Sequence, residues 1–272
     1  MKKLLVIVGV LALIAVLGVG GLLANRLIYQ RFTPERCTVT VGEQTTTLTR
    51  EQATNASIIV AASVKRGLPE QAAIVAIATA YQESGLRNLD YGDRDSLGLF
   101  QQRPSYGWGT EEEIMDPWYS SNRFYEELVK FDDWETIDVN DIAQKVQRSG
   151  HPEAYRKHVP NATAIAQSLL GAPESFSCVN FDVGEPAPEA ATDVLDAIGA
   201  EYTVDATAIA ITTPDDEARI WSAANMAIAN SYAAGISSAQ VIGREWRADR
   251  EGWTDAKTTG DQAPAILFLG AR

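Results

Sequence analysis

Basic side chains are in short supply in this chain. Lysine and arginine total 23 against 36 aspartates and glutamates, a formal net charge of −13. A protein that lives on nucleic acid or on an anionic membrane surface needs a basic patch, so nucleic acid is set aside as a partner and an uncharged or cationic polymer fits better. Histidine is as sparse: His151 and His158 are the two present, and they do not form a helical metal pair. With both cysteines better used in a bridge, no metal and no other cofactor is expected. Asp90-Tyr91-Gly92-Asp93-Arg94-Asp95 lacks the Asp-x-Asp-x-Asp-Gly order of an EF-hand, which favours turn-forming aspartates over a calcium loop.

Apolar residues are not lacking. Residues 4 to 24 form an uncharged run about as long as the roughly 20 residues that span a bilayer, preceded by Lys2 and Lys3. Residues 1–30 therefore read as a single-pass membrane anchor and stalk, with the bulk of the chain outside the cytoplasm. A cleaved signal peptide followed by secretion is the alternative. In either setting Cys37 and Cys178 flank nearly all of one domain, and a disulfide between them would staple its entry to its exit; two buried thiols are the alternative.

The 272 residues suffice for one large or two modest domains. Residues 37–49 alternate on both sides of Gly42-Glu43, a hairpin signal. Thr49 with Gln52 fits a capping box opening a helix to about Lys65, and Gly67 and Pro69 separate it from a second helix that is apolar on nearly every face. Asp116-Pro117 opens a third, Asn140 is read as the cap of a fourth that Gly150 ends, and Pro160 as a break within 153–170. Residues 37–180 thus read as a mostly helical domain and 181–193 as a proline-rich acidic linker. Residues 194–272 read as a small α+β module of unknown role, with a helix over 217–234 ended by Gly235; the Arg- and Trp-rich segment 243–253 is read as an exposed face of a small sheet, with a face for a cell-envelope protein partner or a glycan as the alternative.

Glu83 closes the apolar second helix, where burial and the negative helix end both disfavour a charged carboxylate. A carboxylic acid still protonated near neutral pH is what a general acid requires, and glycoside cleavage is the common reaction that depends on one. An exposed Glu83 paired with Arg87 at i+4 is the competing account. Tyr106 and Trp108 could stack on sugar rings, whereas Trp118 is read as core.

Glu83-Ser84-Gly85 followed by Gly98-Leu99-Phe100-Gln101 resembles the lysozyme-like superfamily of peptidoglycan lytic transglycosylases and goose-type lysozymes, with phenylalanine where methionine is more usual. Val146-Gln147 with Tyr155 resembles a further element, the Val-Gln-x-Ser-x-x-Pro-x-x-Tyr form of actinobacterial and phage-tail relatives. The resemblance covers about residues 50–170. It implies a mainly α lysozyme-like domain after the transmembrane helix, followed by the α+β domain. It also implies cleavage of the β-1,4 MurNAc-GlcNAc bond of peptidoglycan by Glu83 as single general acid/base. Ser84, Gly98, Leu99, Phe100, Gln101, Tyr106, Trp108, Gln147 and Tyr155 would line the substrate. Asp90, Asp93 or Asp95 would be the second carboxylate of a hydrolase. The alternative is a non-catalytic scaffold or binding protein that keeps the fold within a cell-envelope machine.

Overall fold

The computed structural model describes residues 28, 32–148, 153–213, 216–256 and 263–270. The chain divides into two units, Met1–Glu35 and Arg36–Arg272. Of the first, Ile28 and Phe32 are exposed helical residues.

The second unit begins with the expected hairpin: β1 (Cys37–Val41) and β2 (Gln44–Leu48) pair antiparallel about a turn that Gly42 enters at φ 58°. β3 (Phe176–Cys178) pairs with the other edge of β1, setting Cys37 opposite Cys178, and the two form a disulfide. Thr49 and Gln52 make the capping box of helix Arg50–Lys65. Helix Glu70–Ser84 has every residue from Ala72 to Ala80 buried, because it packs against Arg50–Lys65, Val139–Gln147 and Val159–Leu169 at once. Helix Pro117–Leu128 starts from Asp116, whose carboxylate accepts from the Trp118 N–H. Trp118 packs against the core.

Two helix boundaries differ from the sequence reading. Asp138, not Asn140, caps helix Val139–Gln147, and Asn140 is wholly buried inside its first turn. That helix ends on Arg148 in the left-handed region at φ 54°; Gly150 lies outside the described residues. Pro160 does not break a helix. It occupies the first turn of Val159–Leu169, where no intrahelical donor is needed, directly after a 3-10 turn at Arg156–His158.

The second sheet has the order β4-β5-β9-β6-β7-β8 and is antiparallel throughout, with β4 Tyr202–Val204, β5 Ala208–Ile211, β6 Ile236–Val241, β7 Arg244–Arg247, β8 Trp253–Asp255 and β9 Ala265–Leu269. Helices Glu217–Ala229 and Ser231–Ala234 pack with it, the latter ending at Gly235 as expected, and Glu189–Ala197 packs on both of these helices and on Arg50–Lys65. The long helix expected over 217–234 is interrupted at Asn230, whose side chain bonds both the Met226 carbonyl and Ser57 Oγ.

The expected fold class needs correction. Helices share the second unit with two antiparallel sheets, so its class is α+β rather than a mainly α lysozyme-like domain followed by a separate module. Among the described residues no helix is long and apolar enough to cross a membrane, and the expected span 4–24 lies outside them. Residues 37–180 and 194–272 share one hydrophobic core. Buried hydrogen bonds stitch them together: Ser222 Oγ to Leu169 O at 2.7 Å, Asn225 Nδ2 to Ser168 O at 2.7 Å, and Trp246 Nε1 to Cys178 O at 3.2 Å.

Candidate active site

The last turn of the Glu70–Ser84 helix is where its wholly buried surface meets solvent: Tyr81, Gln82 and Glu83 are half-buried. Gly85 and Leu86 turn the chain out of the helix in the left-handed region, at φ 66° and 59°. A buried leucine adopts that backbone only when its surroundings impose it. Here the imposing groups are amides of the preceding helix, since Gln52 Nε2 donates to Gly85 O at 2.8 Å and Asn55 Nδ2 to Leu86 O at 2.9 Å. Ser84 Oγ then donates to Leu99 O at 2.7 Å, tying the helix end to the loop that crosses it.

Glu83 Oε1 accepts a 2.6 Å hydrogen bond from the Tyr155 hydroxyl. Burial raises the Glu83 pKa above its ordinary 4.5, and the Tyr155 bond, which favours the charged form, only partly offsets it. Among the described residues Glu83 makes no ion pair. Arg87, its i+4 neighbour, instead donates to Ser84 O at 3.3 Å. Tyr155 is placed by Asn140, whose Oδ1 accepts from the backbone N–H groups of Tyr155 at 3.2 Å and Arg156 at 3.1 Å. Beside them the His158 ring stacks on Tyr81 with centroids 5.5 Å apart and meets Gln82 Oε1 at 3.2 Å. Burial lowers the His158 pKa, which favours the neutral imidazole.

Gly98 fits its position because a Cβ there would come within 2.7 Å of Ile114 O, and its φ is 75°. Leu99 and Phe100 are fully buried, Phe100 stacking on Phe124 at 4.7 Å. Their side chains, with the buried Ser84, anchor the loop rather than face a ligand. Gln147 Nε2 donates to Phe100 O at 2.9 Å, so the loop is held from the facing helix as well. The structure thus gathers Glu83, Ser84, Leu99, Phe100, Gln147 and Tyr155 into one bonded group.

Gln101, Tyr106, Trp108 and Gln147 belong to a second feature, a groove of ≈ 360 Å³ also lined by Arg103, Arg123 and Arg148. Glu83 is not part of that lining. The aspartates separate. Asp95 accepts from Arg103 Nε at 2.6 Å and from the Ser105 N–H at 2.9 Å, bonds that hold its carboxyl well below the usual range, Ser105 contributing most. Asp90 and Asp93 are exposed. Among the described residues no three His, Cys, Asp or Glu side chains cluster as a metal site would require.

Sequence reasoning passed over Asn140 and His158, and over the three arginines of the groove. Asn140 carried a local clue, a polar residue on the apolar face of its helix, but was read as a cap; the arginines carried none. No protein-family model and no curated protein matches this chain.

Proposed function

We propose that the chain cleaves the β-1,4 MurNAc-GlcNAc bond of peptidoglycan glycan strands, with Glu83 as the single general acid and base. The observation that carries this reading is the Glu83 carboxyl itself, kept toward its protonated form by burial and aimed by the 2.6 Å bond from Tyr155. A protonated Glu83 delivers its proton to the bridging oxygen as an oxocarbenium-like centre develops. The resulting carboxylate then takes the proton of the sugar's own 6-hydroxyl, which closes a 1,6-anhydro ring, or that of a water.

Of the three candidate second carboxylates, Asp95 is the one whose bonding argues against hydrolysis. An inverting hydrolase needs a second carboxylate about 6.5 to 9.5 Å away acting as base. A carboxylate already committed to Arg103 and to a backbone N–H, with its pKa depressed, is a weak base. The route through the 6-hydroxyl needs no such partner. The Cys37–Cys178 disulfide supports an extracytoplasmic setting, where such bonds persist.

The test is digestion of purified sacculi followed by mass spectrometry. Wild-type protein is expected to release muropeptides lighter by one water than their reducing counterparts, and Glu83→Gln to lose about 10²- to 10⁴-fold in rate. Reducing ends would assign hydrolysis. Absence of any release by the wild type would sink the enzymatic reading. A second reading, a non-catalytic glycan-binding protein, is favoured by one observation, that the ≈ 360 Å³ groove does not include Glu83 in its lining.

A further inference from the structure

The groove carries an imbalance that the reaction does not use. On a chain of net charge −13, three of its lining side chains are arginines. Two of the three are already engaged. Arg103 pairs with Asp95 and lies 4.3 Å from the centre of the Tyr106 ring. Arg123 pairs with Glu126 at 2.6 Å and Glu127 at 3.2 Å, and lies 5.6 Å from the centre of the Trp108 ring. Each thus braces an aromatic ring by a cation–π contact, and Arg123 also donates to the Trp108 carbonyl at 3.4 Å. Glu127, the one acid in the lining, is held by Lys130 at 2.6 Å as well.

Arg148 is different. Among the described residues it makes no ion pair, it is exposed, and it lines the same groove. Its backbone sits at φ 54° at the end of the Val139–Gln147 helix, a position where glycine is ordinarily preferred. A strained arginine with no acid partner, at the rim of two braced aromatic rings, is an arrangement that stability alone does not account for.

We propose that this groove binds a carboxylate-bearing glycan, with sugar rings over Tyr106 and Trp108 and the carboxylate on Arg148. Tyr106 is 65% exposed, which leaves its ring available for stacking. Gln147 uses its amide nitrogen on Phe100 O and leaves its carbonyl oxygen for a hydroxyl group, whereas the Gln101 amide is packed on the Tyr91–Gly92 backbone. A guanidinium at the end of such a row discriminates by charge, since it forms a paired, charge-assisted bond with a carboxylate and nothing equivalent with a neutral sugar. The glycan class rests on the strand-cleaving function proposed above; the preference for a carboxylate rests on Arg148. The carboxylate has two sources in one polymer: the lactyl group of strands stripped of peptide, or the acids of an attached stem peptide.

The experiment measures binding by titration calorimetry with the full chain carrying Glu83→Gln, so that cleavage plays no part. Three probes are compared at low salt: peptide-free glycan strands, peptide-bearing strands, and neutral chitin oligosaccharides with the same β-1,4 backbone. At least one carboxylate-bearing probe is expected to bind about tenfold tighter than chitin oligosaccharides, and the preferred one identifies the source. Arg148→Gly should erase that difference while leaving the melting temperature equal or higher, because glycine relieves the left-handed backbone. Trp108→Ala should weaken all three probes alike. Equal affinity for neutral and charged probes, no binding at all, or an Arg148→Gly protein that keeps the preference would overturn the proposal. Muropeptide release by the wild type, read separately, would stand in each of those cases.

Discussion

The loop from Gly85 to Thr110 and the six-stranded sheet satisfy their backbones in different ways. In the sheet, ladders of main-chain bonds run from β4 to β8 and are indifferent to which side chains they carry. In the loop, scattered main-chain bonds such as Gly98 N–H to Leu89 O and the mutual pair of Leu97 and Gln102 are supplemented by side-chain amides: Gln52 reaches Gly85 O, Asn55 Leu86 O and Gln147 Phe100 O, while the loop's own Asn88 and Gln102 tie it to Met115 O and Ser120 O. Left-handed non-glycine residues divide the same way. Leu86, Arg94 and Gln101 lie in the loop and Arg148 faces it, whereas the sheet has Ile242 in the β6–β7 turn and Glu174 precedes β3 outside both regions. A backbone held by particular side chains can be given a shape that ladders do not permit, and that is the region where the candidate acid sits.

The sharpest way to break this contrast is Trp246→Ala in the sheet. Trp246 is fully buried and bonds Cys178 O, so its removal should cost about 3 to 5 kcal/mol and lower a single melting transition. Two separated transitions in calorimetry would show the halves to be independent. Next is Asn55→Ala, which leaves the Leu86 carbonyl buried without its donor and should cost about 1 to 3 kcal/mol, together with a loss of muropeptide release larger than Trp246→Ala causes below its own melting temperature. Arg94→Gly should act in the opposite direction. The side chain is exposed and its backbone sits at φ 59°, so glycine is expected to raise stability by up to about 1 kcal/mol in chemical denaturation.

The smallest expected effect is a pH dependence. Because burial raises the Glu83 pKa, the folded protein holds this proton more tightly than the unfolded chain. Stability should therefore decline as pH rises from about 4.5 through the raised value, then level off. Glu83→Gln should lack that component of the decline and be at least as stable as the wild type at neutral pH. A difference profile that slopes the other way would mean that the carboxylate is stabilised, not penalised, by its surroundings.

Much of the local structure was legible because its causes are local. The capping box at Thr49, the turn at Gly42 and the stop at Gly235 each depend on residues within a few positions of one another. Pro160 was misread because a proline that breaks a helix and one that starts it look alike without knowing where the preceding turn ends. The pairing of β9 between β5 and β6 had no local signal, and the helical reading of 37–180 overlooked β3 lying against β1. The burial of Glu83 could be read from the apolar helix before it, but burial alone left an exposed pair with Arg87 as the competing account, and the motif resemblance singled it out. Its hydrogen-bond partner had no local signal: the Tyr155 bond spans 72 residues, and only the motif resemblance pointed to that tyrosine. Asn140 shows the limit most clearly, since a cap and a buried clamp use the same side chain and differ only in which N–H groups come to it.

The pairing of β1 with β3 also sets an order of events in biosynthesis. Cys37 is made 141 residues before the cysteine it joins, so the first strand of the unit waits with one edge unpaired until β3 has been synthesised. β3 in turn receives the indole N–H groups of Trp246 and Trp253 at its Cys178 and Phe176 carbonyls, from segments made later still. A chain that ends before residue 246 therefore leaves the Cys178 and Phe176 carbonyls of β3 without these two donors and this part of the core incompletely covered.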